Sequence, residues 1–167
     1  MKEQLLTWAN AGDGACMYRL AKIYQTEGDD KNYVEWLRKS AEAKTFDAMK
    51  EFAEHLRKYG DYEKALAIYK NLAETFYDEE AMECVVDMCE QNQGVAKNDK
   101  ATLNFILKLI NRRYNEIYQI NRGNIFARMW EFQTRRHDEL TWETMQAIER
   151  RRIAARIRKI LAQTGEE

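Results

Sequence analysis

Apolar positions recur with a helical period along most of the chain. One stretch shows it clearly, since its apolar residues follow steps of three and four that place them on one face of an α-helix. These residues are Ala65, Ile68, Tyr69, Leu72 and Ala73. Short polar turns containing glycine, at Gly28 and Gly60, separate such stretches. The pattern predicts an all-α fold built of amphipathic helices joined by tight turns.

The helical pattern itself repeats about every 33 residues. Three similar segments begin at Cys16, Ala48 and Ala81, which are spaced by 32 and then 33 residues. Two further columns keep the same step. These are Leu20-Ala21, Phe52-Ala53 and Val85-Val86, followed by Tyr24, Leu56 and Cys89. A repeated unit of this length predicts helical hairpins that bury their apolar faces by stacking on their neighbours.

A second column of small residues marks the other helix of each hairpin. Ala9, Ala41 and Ala73 are each 32 residues apart. The first of them precedes the first complete hairpin, so the segment from Glu3 to Ala11 is predicted to be the second helix of an incomplete unit.

The helix boundaries carry recognisable capping residues. Gly60 is suited to the left-handed conformation that ends a helix, and Asp61 is suited to cap the start of the next one. Asp30 is predicted to cap a helix after Gly28 in the same way. The third hairpin has a longer loop, and Asp99 is the expected cap at its end.

These features resemble two related families of helical repeats. The segment 59–69, YGDYEKALAIY, is similar to the centre of a tetratricopeptide repeat. The segments 8–15, WANAGDGA, and 94–101, GVAKNDKA, are similar to Sel-one-like repeats. The resemblance covers residues 3–110 and implies a right-handed α/α solenoid of about three helical hairpins plus a half-repeat. Tyr77 departs from the tetratricopeptide pattern, since it stands near the place where a proline is usual.

The C-terminal third, residues 111–163, is predicted to form basic helices that cap the solenoid within a single domain spanning 1–167. A long helix is expected over Thr102–Tyr118, with a turn at Asn121–Asn124 and a further amphipathic helix from Ile125. The last helix is expected to start near Thr141 after a break at His137-Asp138. Its apolar side comprises Met145, Ile148, Ile153, Ile157, Ile160 and Leu161. The alternative is that this helix is held apart for a partner.

Charge divides the chain as the repeats do. Residues 1–99 carry 13 Lys/Arg and 20 Asp/Glu, whereas residues 100–163 carry 14 Lys/Arg and 6 Asp/Glu. An asymmetry of this size steers encounters with charged partners. We therefore expect the basic C-terminal helix to cover the acidic surface, either within the chain or by self-association with a second copy. The absence of proline from the 167 residues is compatible with long helices.

Residue patterns typical of catalysis or metal binding are missing from the sequence. His55 and His137 have no second His or Cys at ligand spacing, so no metal site is predicted. The three cysteines, Cys16, Cys84 and Cys89, are expected to be reduced. No glycine-rich phosphate loop or nucleophile elbow is present. The expectation is a non-enzymatic protein without cofactors, and the polar N-terminus without a long apolar run favours the cytoplasm over a membrane.

The resemblance also implies where a partner would bind, because the first helix of each hairpin lines the concave surface of such solenoids. This implies an interaction scaffold that holds a peptide or helix of another protein, with a basic segment favoured by the acidic third unit. The candidate partner-binding residues are Lys22, Lys50, Glu54, Arg57, Glu80, Glu83, Asp87 and Glu90. Two alternatives remain open: nucleic-acid binding through the Arg-rich C-terminal helix, for which no accompanying motif is present, and neutralisation or chaperoning of one specific toxin or effector.

Overall fold

A computed structural model describes residues 2–122 and 137–164, with side chains described over 2–112 and 146–164. Every regular element in these ranges is an α-helix, which confirms the all-α prediction. The helices are α1 (Lys2–Asn10), α2 (Gly14–Glu27), α3 (Asp30–Glu42), α4 (Phe46–Lys58), α5 (Tyr62–Phe76), α6 (Glu79–Glu90), α7 (Lys100–Arg122) and α8 (His137–Gln163). Among the described helices, none is both long enough and apolar enough to cross a membrane.

The chain divides into two compact units. Unit 1 comprises residues 1–72 and unit 2 comprises residues 73–167, so the division falls inside α5.

In unit 1, helices that follow one another in sequence pack together: α1 on α2, α2 on α3, and α3 on α4. The repeat columns supply the contacts, because Cys16, Ala21, Ala48 and Ala53 are all buried. Large apolar side chains fill the space around these small residues, and Leu20 and Leu37 among them are fully buried. Each side chain of that size stabilises the fold by about 1.5–3 kcal/mol through removal of apolar area from water.

The helix ends at Gly28 and Gly60 follow the predicted chemistry, whereas the predicted cap of α3 needs a correction. Gly28 and Gly60 adopt φ angles of 75° and 85°, the left-handed conformation expected at helix ends. The cap of α3 is Asp29 rather than Asp30, since the Asp29 carboxylate accepts a hydrogen bond from the Asn32 backbone N–H at 3.1 Å. The turn after Gly28 is therefore one residue shorter than predicted. Asp30 lies inside the first turn of the helix.

Close contact between α2 and the turn that follows α3 depends on Gly14. A Cβ atom at Gly14 would lie 2.4 Å from Thr45 Oγ1 and 3.0 Å from Ala43 Cβ. The buried Ser40 hydroxyl donates a hydrogen bond to the Gly14 carbonyl at 2.7 Å, which satisfies both groups. The second glycine of the sequence Gly12-Asp13-Gly14 is thus required by close packing.

In unit 2, α6, α7 and α8 pack against one another in all three pairs. Val85 and Val86 continue the repeat columns and are fully buried. As predicted, Asp99 caps α7, since its carboxylate accepts a hydrogen bond from the Thr102 N–H at 2.7 Å. Helix α7 runs to Arg122. The turn predicted over Asn121–Asn124 therefore does not begin at Asn121, which still lies in the helix.

The last helix differs from its prediction at its N-terminal end. Helix α8 begins at His137 rather than near Thr141. Ile148 is 61% exposed, whereas the sequence pattern predicts it on the apolar side of the helix. The predicted helix from Ile125 and the position of Met145 fall outside the residues whose structure or side chains are described.

The turn between α5 and α6 excludes proline at position 77. Tyr77 joins α5 to α6 with φ at 53°, in the left-handed region. Proline is fixed near −65°, so it is incompatible with this turn.

Candidate binding surfaces

Helix α6 presents a row of carboxylates on one side. Its members recur at steps of four, four and three, so they lie on one face of the helix. We call this row the acidic stripe; it comprises Glu79, Glu83, Asp87 and Glu90. The other sides of α6 face the core of unit 2 through Met82, Val85 and their apolar neighbours.

The start of α6 favours this concentration of negative charge. Asp78 accepts a hydrogen bond from the Ala81 N–H at 2.9 Å and so caps the helix. Glu79 and Glu80 follow in the first turn, where the partial positive charge of the helix N-terminus offsets their mutual repulsion.

Arg156 of α8 is bound by three members of the acidic stripe. Its Nη2 donates to Asp87 Oδ1 at 2.7 Å and to Glu90 Oε2, and its Nη1 lies 3.9 Å from Glu83 Oε1. Burial lowers the pKa of Arg156, but the hydrogen bonds to Glu90 and Asp87 outweigh that effect and leave the pKa raised. The guanidinium is therefore held as a cation by charge-assisted hydrogen bonds.

A second arginine, Arg150, pairs with the first member of the stripe. Arg150 Nη2 contacts Glu79 Oε1, and the two side chains are only 10% and 20% exposed. Arg150 Nη2 also donates to Gln146 Oε1 at 3.3 Å, while its Nε is buried without a hydrogen-bond partner. An ion pair this buried contributes little net stability, since the cost of removing both charged groups from water offsets their attraction.

Between these two arginines, α8 is held by apolar packing. Ile153, Ile157 and Ile160 are buried at steps of four and three, and α8 contacts both α6 and α7. At the far end, Lys100 Nζ donates to the Thr164 carbonyl at 3.1 Å, which satisfies a carbonyl just beyond the last turn of α8. Within unit 2, therefore, the basic helix covers this part of the acidic surface.

The opposite side of α8 is also basic, but it faces solvent. Four cationic side chains there are exposed: Arg151, Arg152, Arg158 and Lys159. Arg152 lies 3.5 Å from Glu149 in an exposed pair of the kind that contributes little to stability.

In unit 1, the polar cluster that joins three helices centres on Glu51 of α4. Glu51 Oε2 accepts a hydrogen bond from the Tyr18 hydroxyl at 2.8 Å. Glu51 Oε1 accepts from Lys22 Nζ at 2.7 Å and from the Tyr33 hydroxyl at 2.9 Å. Tyr18 and Lys22 lie on α2 and Tyr33 lies on α3, so one carboxylate connects α2, α3 and α4.

The electrostatics of this cluster follow from its partial burial. Burial raises the pKa of Glu51, but donation from Lys22, Tyr18 and Tyr33 outweighs it and leaves that pKa lowered. Burial and the adjacent Glu51 carboxylate raise the pKa of Tyr18 to about 12 and raise the pKa of Tyr33 as well. Glu51 is thus a stable anion whose partners stay protonated, an arrangement that fixes helices in place.

An aromatic group extends from this cluster. The Tyr33 ring meets the His55 ring edge-on at 6.3 Å between centroids, and His55 lies 4.5 Å from the Tyr59 ring. Tyr59 is 71% exposed. Burial, followed by the nearby Lys58 charge, lowers the pKa of His55.

The predicted partner-binding residues fall in both units. Those in unit 1 are Lys22, Lys50, Glu54 and Arg57, and those in unit 2 are Glu80, Glu83, Asp87 and Glu90. Lys22 is engaged by Glu51, and Lys50 Nζ lies 5.5 Å from the centroid of the Phe46 ring. Glu54 and Glu80 are exposed, whereas Arg57 is half-buried. The structure brings Glu83, Asp87 and Glu90 together around Arg156.

Sequence reasoning missed several residues of these clusters. Glu79 has the same spacing as the predicted acids and was detectable from that spacing. Arg156 and Arg150 were recognised only as members of a basic run. Glu51 gave no sequence signal, because its partners lie 18 to 33 positions away.

Across the described ranges, no group of three or more His, Cys, Asp or Glu side chains is placed to hold a metal ion. Cys16, Cys84 and Cys89 are free thiols. No family model, curated protein or solved structure matches the chain. The likeness to tetratricopeptide and Sel-one-like repeats therefore stays a prediction from the residues themselves.

Proposed function

We propose that this chain is a non-enzymatic protein–protein interaction scaffold that binds a peptide or helix of another protein. In this proposal its hairpins stack as a right-handed solenoid of the tetratricopeptide or Sel-one-like kind, and the first helices of the hairpins, α2, α4 and α6, supply the binding surface. The partner contributes positive charge, and the acidic stripe of α6 receives it.

The observation that carries this proposal is the seating of Arg156 on the acidic stripe. One guanidinium bound by Asp87 and Glu90, with Glu83 close by, is an example of the recognition that α6 offers. Carboxylates that bind an arginine of α8 are equally suited to bind an arginine or lysine on a helix of a partner. Such charge complementarity contributes chiefly to selectivity and to the rate of association.

The experiment is affinity capture from extracts of the cells that express the chain. The bait is the full chain, compared with Glu83→Lys/Asp87→Lys and with a matched control, Glu63→Lys/Glu74→Lys, which changes two exposed acids of α5. A protein captured by the wild type and the control, but lost with the stripe variant, supports the proposal. Equal capture by all three baits, or capture of nothing by any of them, contradicts it.

A second candidate function rests on the exposed cations of α8. Arg151, Arg158 and Lys159 line the solvent side of that helix, where they are placed to contact phosphates. Nucleic-acid binding through this side would weaken steeply with salt. Fluorescence anisotropy with a duplex DNA and a single-stranded RNA at low salt is the test, and no change in anisotropy excludes this candidate.

A further inference from the structure

We propose that the face of α6 and α7 beneath α8 is a helix-binding site, and that a basic amphipathic helix of a partner protein can replace α8 there. This inference rests on the proposed function and gives the partner a chemistry. The helix it fits carries an isoleucine-type apolar stripe between two arginines, as α8 does.

Helix α8 shows which charged and apolar residues a helix must carry to bind this site. Arg150 pairs with Glu79, and six residues later Arg156 pairs with Asp87 and Glu90. The pairs occur in the same order along both helices, so α6 and α8 run in the same general direction. Ile153, Ile157 and Ile160 supply the buried contacts beside them. A competing helix must reproduce two charges and an apolar stripe in this register.

Helix α8 is an imperfect occupant of the site. Its two arginines face four carboxylates of the stripe, and Glu83 is the most distant from a guanidinium, at 3.9 Å. The Arg150 Nε is buried without a partner. A helix with a further cation on the edge that carries Arg156 would pair with more of the carboxylates in the acidic stripe.

One residue of α8 supplies no charge that the acidic stripe could bind. Glu149 lies seven residues before Arg156, about two helical turns, so it occupies the same edge of α8 as Arg156. Its side chain is exposed and lies 3.5 Å from Arg152. A basic residue on that edge would add a cation on the side of the helix that Arg156 presents to the stripe, so position 149 is where a partner helix gains over α8.

Covalent attachment compensates for the imperfect fit. A tethered segment competes at an effective concentration on the order of millimolar, so α8 occupies the site against a free helix of similar affinity. The apparent affinity for a partner is reduced by the fraction of molecules in which α8 is in place. Weakening the attachment of α8 should therefore increase the affinity for a helix added from solution.

The test uses full-length chains and a fluorescein-labelled peptide with the sequence of residues 146–164. Arg156→Glu places a carboxylate against the stripe and releases α8, whereas Arg158→Glu makes the same change on the solvent side of the helix. The Arg156→Glu chain should bind the peptide on the order of tenfold more tightly than the wild type or the Arg158→Glu chain. Adding Asp87→Lys to Arg156→Glu should abolish this gain. Equal binding by the Arg156→Glu and Arg158→Glu chains overturns the inference.

The peptide itself supplies a second comparison. On the Arg156→Glu chain, a Glu149→Arg peptide should bind about threefold more tightly than the unchanged peptide, the effect of one partly exposed charge pair. Where release of α8 lowers the helical signal of the Arg156→Glu chain in circular dichroism, recovery of the helical signal on addition of the unchanged peptide supports the inference. A helical signal that does not recover contradicts it.

Two outcomes distinguish this inference from the function on which it rests. Capture of a partner that depends on Glu83 and Asp87, without any gain in peptide binding on release of α8, keeps the proposed function and rejects the inference. Light scattering addresses the other occupant, a second copy of the chain. A wild-type dimer that the Arg156→Glu change abolishes would assign the site to exchange of α8 between copies and would contradict a partner helix.

Discussion

Arg156 and Asp87 are 69 positions apart in the sequence, and their side chains meet at 2.7 Å between Nη2 and Oδ1. The contact joins the basic helix α8 to the acidic stripe of α6. It is made at the edge of a buried isoleucine stripe, so the arginine is only 36% exposed. At such a position a hydrogen bond between charged groups is less screened than a surface ion pair is.

Removing the Arg156 guanidinium is expected to destabilise unit 2. We predict that Arg156→Ala lowers the free energy of unfolding by about 1–2 kcal/mol, because Asp87 and Glu90 lose a charge-assisted donor and repel each other. The control is Arg158→Ala on the exposed side of α8, which should change it by less than about 0.5 kcal/mol. Urea denaturation followed by circular dichroism measures both, and equal losses would show that the Arg156 contacts contribute nothing.

Glu51 should be important to unit 1 through its charge. The isosteric change Glu51→Gln removes the ion pair with Lys22 and weakens two hydrogen bonds from tyrosines, for a predicted loss of about 1–2 kcal/mol. Glu54→Gln, an exposed residue on the same helix, serves as the control. A chain with Glu51→Gln that unfolds at the same urea concentration as the wild type would contradict the role of this cluster.

The same cluster predicts a pH dependence. Because the pKa of Glu51 in the folded chain lies below its ordinary value of 4.5, the unfolded chain binds more protons at this site as the pH falls. The contribution of Glu51 to stability is therefore fully present above pH 4.5 and is lost as the pH falls through the folded-state pKa. The stability difference between wild type and Glu51→Gln should shrink from neutral pH toward about pH 3. A difference that stays constant or grows over this range would contradict the assignment.

The close approach at Gly14 predicts a steric effect. Gly14→Ala places a Cβ atom 2.4 Å from Thr45 Oγ1, and we expect a loss of about 1–3 kcal/mol from overpacking. In a Thr45→Ala background the same change should cost less, because the nearest atom is gone while Ala43 Cβ remains. Thermal melts of the four chains provide the comparison. An identical cost in both backgrounds would place the strain elsewhere.

Much of the fold was predictable from the sequence because its signals are local. The columns at Cys16, Ala48 and Ala81 are buried as expected, since a helical period is visible within a few turns of sequence. Gly28, Gly60 and Asp99 could be assigned because capping chemistry depends on neighbouring residues. Where local signals compete, the prediction was less precise: Asp29 and Asp30 are both good caps, and only the length of the turn decides between them.

The candidate surfaces could be predicted only in part. The acids at 83, 87 and 90 were identified from their place on a first helix, but their partner depends on how a distant helix packs. The cluster around Glu51 was not predictable from the sequence, because its three hydrogen-bond donors come from two other helices and share no sequence motif with Glu51. The exposure of Ile148 was missed for a related reason, since the apolar side of α8 is set by the register in which it meets α6 and α7.

Specific pairing with Arg150 and Arg156 is how the acidic stripe of α6 holds α8. The most direct measurement is a double-mutant cycle between Asp87 and Arg156 in the full chain, using Asp87→Ala, Arg156→Ala and both together, followed by urea denaturation. The predicted coupling energy is about 0.5–1.5 kcal/mol, since the two side chains share a short charge-assisted hydrogen bond. Single-variant losses that add within about 0.3 kcal/mol would contradict the claim.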